Sequence, residues 1–132
     1  MRLSPAAELA IRGSLVLAHR HNQGPVTLGM ICEDDNRLSR EYLARVFGMM
    51  ARAGIVRPIR GKNGGYVLTR SPKEITLLEI IESVEGPQAL NICQNNPPLC
   101  ENAEKCKVQK VWKELQTIFD RKLSSVTLGD CI

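Results

Sequence analysis

Residues 39–68 read SREYLARVFGMMARAGIVRPIRGKNGGYVL, and this stretch decides the fold. Its first half has helical spacing. Leu43, Val46, Phe47 and Met50 recur at intervals of three and four, which gathers them on one apolar face, while Arg40, Glu41, Ala44, Arg45 and Gly48 fall on the other. Ser39 stands where a capping hydroxyl is wanted, so a helix is predicted over residues 40–53. The period then changes. Ile55 to Ile59 and Tyr66 to Thr69 are short extended runs joined by Arg60-Gly61-Lys62-Asn63-Gly64-Gly65, the pattern of a hairpin with a basic, glycine-rich tip. Pro58 has no N–H to donate and suits an edge strand, as in a two-stranded ribbon.

Working outward, Ser4-Pro5 is a helix start, with Ser as N-cap and Pro at the first helical position, and residues 5–21 continue it with Ala7, Ile11, Leu15 and Ala18 on one face. Asn22 to Pro25 ends it. A short second helix is predicted over residues 26–32, opening at Thr27, with a polar turn over Glu33 to Asn36. Downstream, Ile75 to Val84 reads as a helix closed by Gly86-Pro87. Val108, Val111, Leu115 and Ile118, with Trp112 and Phe119 alongside, then mark a long helix over 108–123 with a broad apolar stripe, and Thr127 opens a short terminal helix. The fold expected is mainly α with a small β-hairpin: a winged helix-turn-helix unit over 1–86, then a cysteine loop and a long C-terminal dimerisation helix over 87–132. Packing inside one chain is the other use for that stripe, but few elements remain to cover it, and a homodimer is expected.

The chain has 132 residues and a net charge of +4, which is modest until it is divided. Residues 1–70 hold 11 basic and 5 acidic side chains; residues 71–132 hold 7 and 9. Between 36 and 70 the basic residues Arg37, Arg40, Arg45, Arg52, Arg57, Arg60, Lys62 and Arg70 face Glu41 alone. Such a surface suits a polyanion. Aromatics at 4% are too few for single-strand stacking platforms, so duplex DNA is the expected partner. In a winged helix-turn-helix the second helix of the pair enters the major groove and the wing flanks it. Ser39, Arg40, Glu41 and Tyr42, in the first turn, are placed to reach base edges, with Arg45 one turn further; Arg60 and Lys62 supply charge at the wing. No membrane span or signal peptide is read, and the location expected is cytoplasmic.

Cys93, Cys100 and Cys106 share a polar, proline-broken run that is no core element. Thiols on one loop can converge on a metal or an iron-sulfur cluster; structural zinc is the less suited alternative because its usual pairs are spaced more closely, and a disulfide or inert thiols complete the choices. Cys32 lies in an apolar helix as a packed thiol, Cys131 is near the tail, and His19 and His21 are expected at the surface. No His-Glu metalloprotease motif, phosphate loop or nucleophile elbow is present, so no enzyme is expected.

MRLS at 1–4, LSREYLARVFGMMARAGIV at 38–56, RGKNGGYVL at 60–68, ITLLEIIESVEG at 75–86, the three cysteines and VTLGD at 126–130 together resemble the Rrf-type family of iron-sulfur winged-helix transcription regulators, which includes IscR-like and NsrR-like members. The resemblance spans essentially the whole chain. It implies a homodimeric regulator, a repressor, whose cluster state controls a palindromic operator in response to nitric oxide, redox or iron status. Cys93, Cys100 and Cys106 match the cluster cysteines. IscR-like members carry a histidine three residues after the last of these, where this chain has Gln109; NsrR-like members use an acidic residue in the first helix, where this chain has Glu8. The resemblance therefore favours Glu8 as fourth ligand, reaching across the dimer, and a 4Fe-4S cluster over 2Fe-2S. It also implies DNA contacts by Ser39, Tyr42 and Arg60, while Ala44 replaces a glutamate that bears on site choice. An iron-sulfur carrier or electron-transfer protein without specific DNA binding is the alternative function.

Overall fold

The computed structural model describes residues 2–33 and 39–132; the turn expected over Glu33 to Asn36 lies outside them from Asp34 onward, as does the basic Arg37. Five α-helices are described, α1 Pro5–His19, α2 Leu28–Cys32, α3 Arg40–Arg52, α4 Leu77–Glu85 and α5 Gln109–Ser125, with strands β1 Val56–Ile59 and β2 Gly65–Leu68 between α3 and α4. The strands pair antiparallel, Val56 opposite Leu68 and Ile59 opposite Gly65.

Helix starts follow local chemistry. The Ser4 hydroxyl accepts from the Ala7 N–H at 3.1 Å and Pro5 opens α1; Thr27, Ser39 and Thr76 cap α2, α3 and α4 in the same way. At α4, Glu79 returns a bond to the Thr76 N–H and completes a capping box. Two of these caps displace expected boundaries. Val26 is not helical but extended, exchanging backbone hydrogen bonds of 2.9 and 2.8 Å with Tyr66, because Thr27 after it is the cap. Ile75 likewise precedes its cap and is extended. α1 ends at His19 rather than residue 21, since Asn22 takes a positive φ of 65°. α5 runs two residues past the expected 123, and the terminal helix is a single 3-10 turn, Leu128–Cys131.

The core lies between α1, α3, α4 and the hairpin. Leu43, Val46, Phe47 and Met50 are fully buried, as the spacing predicts. Phe47 is the centre of this packing. Its ring meets Tyr66 edge to face at 4.8 Å, and a Cβ added to Gly13 of α1 would lie 2.7 Å from it, so the absence of a side chain there is what lets α1 sit against α3. The chain after α5 returns to this unit. Leu77 N–H donates to Val126 O and Leu128 N–H to Ile75 O, each at 2.9 Å, and Leu128 is fully buried.

α5 has no buried residue. One side, carrying Trp112, Gln116 and Phe119, is half-buried; the other presents Val111, Leu115 and Ile118 at 53%, 41% and 62% exposure. Gln116 fastens the inner side, its Oε1 accepting from the Leu90 N–H at 2.8 Å and its Nε2 donating to Gln88 O at 2.9 Å. The stripe is thus split, half used within the chain and half left outward. No helix among the described residues is long and apolar enough to cross a membrane.

Candidate nucleic-acid interface and cysteine loop

α3 and the hairpin tip are solvent-facing where DNA binding is expected. The Ser39 hydroxyl accepts from the Tyr42 N–H at 3.3 Å and donates to Glu41 Oε2 at 2.9 Å. The backbone N–H of Glu41 itself, then that hydroxyl, hold its carboxyl below its ordinary value, so the first turn presents an ionised acceptor. A cytosine amino group could donate to it. Arg40 is exposed, but its guanidinium lies across Gly29 of α2, 3.0 Å from where a Cβ would stand. Tyr42 is half-buried and packs against the core. Arg45 is fully outward. With Ala44, Gly48, Met49 and Arg52 it lines a shallow hollow on the outer face of α3, and nothing stands near a Cβ built on Gly48. Small residues between two arginines allow close backbone approach to a groove wall.

Arg60 and Lys62 are exposed at the tip. Behind it, Gly65 has a φ of 148°, and a Cβ there would meet Val26 O at 2.6 Å, so this position needs glycine on two counts. Among the described residues Arg45, Arg52, Arg60 and Lys62 engage no carboxylate, whereas Arg70 is spent on Glu79 at 2.7 Å. Their charges are available to phosphate.

The three cysteines lie on the one segment joining α4 to α5, in different surroundings. Cys93 is buried on a 3-10 turn, its Sγ accepting from Gln94 Nε2 at 3.4 Å; Cys100 is half-buried; Cys106 is exposed, its carbonyl accepting from the Gln109 N–H at the start of α5. Among the described residues no three His, Cys, Asp or Glu side chains approach closely enough to hold a metal ion. The three thiols share this segment, as the spacing implies, and lie apart on it. As donors they fit a soft metal centre, and Glu8, exposed in the first turn of α1, is a free oxygen donor. Cys32 is half-buried against the core and Cys131 exposed. His19 is exposed, but His21 is half-buried and faces a hollow with Arg20 and Arg57. Sequence reading passed over that trio, because Arg57 lies far along the chain from the adjacent Arg20 and His21 and each was read only as a surface residue.

The Rrf2 family model, described as an iron-dependent transcriptional regulator, matches residues 3–132. The chain belongs to the Rrf2 family. Among curated relatives, the HTH-type transcriptional regulator IscR of Cronobacter sakazakii is 30% identical over 132 residues, all of this chain and 80% of that protein. Among solved structures, CymR, the global cysteine regulator of B. subtilis, is 30% identical with a TM-score of 0.81 over 99% of this chain and 95% of that one. T. potens IscR is 27% identical with a TM-score of 0.78, covering 99% and 85%. This Rrf2 protein is therefore a winged-helix, DNA-binding transcription regulator and not an enzyme, and the carrier alternative gives way.

Proposed function

We propose that this Rrf2 protein is an iron-sulfur-responsive repressor, binding a palindromic operator as a homodimer. Cys93, Cys100 and Cys106 would hold the cluster with Glu8 of the partner subunit as fourth ligand, 4Fe-4S in preference to 2Fe-2S, and nitric oxide, redox change or iron supply would be the signal. When bound, such a cluster supplies a thiolate-ligated iron centre sensitive to those agents. Ser39, Arg40, Glu41, Tyr42 and Arg45 would read the major groove, with Arg60 and Lys62 on the backbone. The functional division is then 1–86 for DNA and 87–132 for sensing and pairing.

The observation that carries this reading is that all three thiols sit on the segment leading into α5, whose outer apolar side is unpartnered. A second chain packed on α5 would bring a first helix and a closed loop within one assembly. Likeness in fold to the cysteine regulator of B. subtilis is as high as likeness to IscR, so the fold leaves the signal open and the cysteine trio supports the choice. Anaerobic purification with iron and sulfide analysis, followed by operator binding of holo and apo protein side by side, tests it. A colourless protein loaded with zinc would defeat the reading.

A further inference from the structure

The hollow beside the wing is separate from both the DNA face and the cysteine loop. It has a volume of about 230 Å³ between the end of α1 and the hairpin. Its floor is apolar, with Leu17 and Val67 among the lining residues; Arg20, His21, Asn22 and Arg57 stand around it. Three groups that can carry positive charge, from two elements distant in sequence, thus meet over an apolar floor. Among the described residues none of them has an ion-pair partner. Unpaired cations are not ordinarily brought together, since mutual repulsion opposes it. Arg20 and His21 follow the C-terminus of α1, where exposed carbonyls favour a cation, and that accounts for their placement. It does not account for Arg57, which arrives from β1.

The walls are preformed. The turn after α1 is set by the positive φ of Asn22 and by hydrogen bonds from His21 N–H to Ala18 O at 3.2 Å and Gln23 N–H to Arg20 O at 3.0 Å. On the other side, Val26 and Tyr66 exchange two backbone bonds. We propose that this hollow is a binding site for a small organic anion: a carboxylate or phosphate head held by Arg20, His21 and Arg57, with a short apolar body against Leu17 and Val67. Charge-assisted bonds from two guanidinium groups supply the head's affinity and the floor selects for the body.

A DNA phosphate fits this place less well. Arg57 pairs with Val67, and the neighbouring pair is Pro58 with Tyr66, whose ring turns to Phe47 of α3. Strand alternation therefore puts Arg57 and Val67 on the hairpin face opposite the recognition helix. A recess floored by leucine and valine also offers a convex, fully hydrated duplex backbone little to bury.

The test is amide NMR of the full chain titrated with butyrate and with phenyl phosphate, using 1-butanol as the uncharged control at matched ionic strength. Saturable shifts at Asn22, Gly24 and Val67 are expected, with a Kd on the order of 1 mM, and none with 1-butanol. Arg57→Gln and, separately, Arg20→Gln should weaken binding roughly tenfold while the rest of the spectrum is unchanged; Arg45→Gln should not. Shifts confined to α3 and the wing tip, or undiminished binding in both variants, would overturn the proposal. So would a finding that these two variants lower the salt dependence of operator binding while neither anion shifts the hollow, which would make the arginines phosphate contacts.

Discussion

Gly13 and Gly65 hold closer approaches than any side chain allows, one to an aromatic ring and one to a backbone carbonyl. Gly13→Ala should cost about 1–3 kcal/mol as the Phe47 ring is forced off its site, and Gly65→Ala a similar amount through φ strain and the clash with Val26 O. Urea midpoints of the two variants measure this. The thiols separate by a different readout. Alanine at Cys93, Cys100 or Cys106 should abolish the visible absorption of anaerobically prepared protein, whereas Cys32→Ala should keep it. Glu8→Ala should leave secondary structure intact but shift the cluster spectrum and its rate of reaction with nitric oxide. If Glu8→Ala matches wild type there and Gln109→Ala does not, the fourth ligand is misassigned.

At the scale of elements, α3 and the hairpin were legible because their residues obey a single local rule each: an apolar period for Leu43 to Met50, a glycine-rich tip for Arg60 to Gly65. Val26 and Ile75 were not, since an apolar residue before a capping threonine can enter the helix or pair as a strand, and only a partner distant in sequence decides. The shared loop of the cysteines was legible from their spacing, but the different burial of Cys93, Cys100 and Cys106 was not, because spacing does not say how a loop is folded. Operator binding should fall steeply with salt, by about 0.9 in the logarithmic slope per phosphate neutralised, and Lys62→Ala and Arg60→Ala should each reduce that slope. Arg45→Ala should instead erase about 1–3 kcal/mol of discrimination between operator and random duplex. Uniform losses for all three would remove α3 from the role given to it. The capping box of α4 has its own pH signature. Partial burial raises the Glu79 carboxyl, but the Thr76 N–H and the Arg70 guanidinium outweigh it, leaving the pKa below the ordinary value. A depressed folded pKa stabilises fully above the unfolded value and fades as pH falls through the folded one. The stability gap between wild type and Glu79→Gln should therefore be present at about pH 7 and shrink by about pH 3 in urea titrations of apo protein.

For the whole molecule, the outward side of α5 is the surface on which the proposed pairing would form. Val111→Asp or Leu115→Asp should turn a dimer into monomers with the helical signal retained, as read by light scattering and circular dichroism; a wild-type monomer at micromolar concentration would contradict the pairing. The path of the chain around α5 has a mechanical consequence. Its first turn is tied to Cys106 and its far end to Ile75 and Leu77 through Val126 and Leu128. The far end is thus held against the helical unit, while the near end continues straight into the cysteine segment. On the proposed function, a rearrangement of the cysteine segment would reach the stretch just before α4, the helix packed against α3, along α5. A stop codon after Ser125 would free that end, at the cost of the buried Leu128: thiol chemistry should persist and its effect on operator affinity should fade, with urea unfolding of the truncated chain separating lost coupling from lost packing.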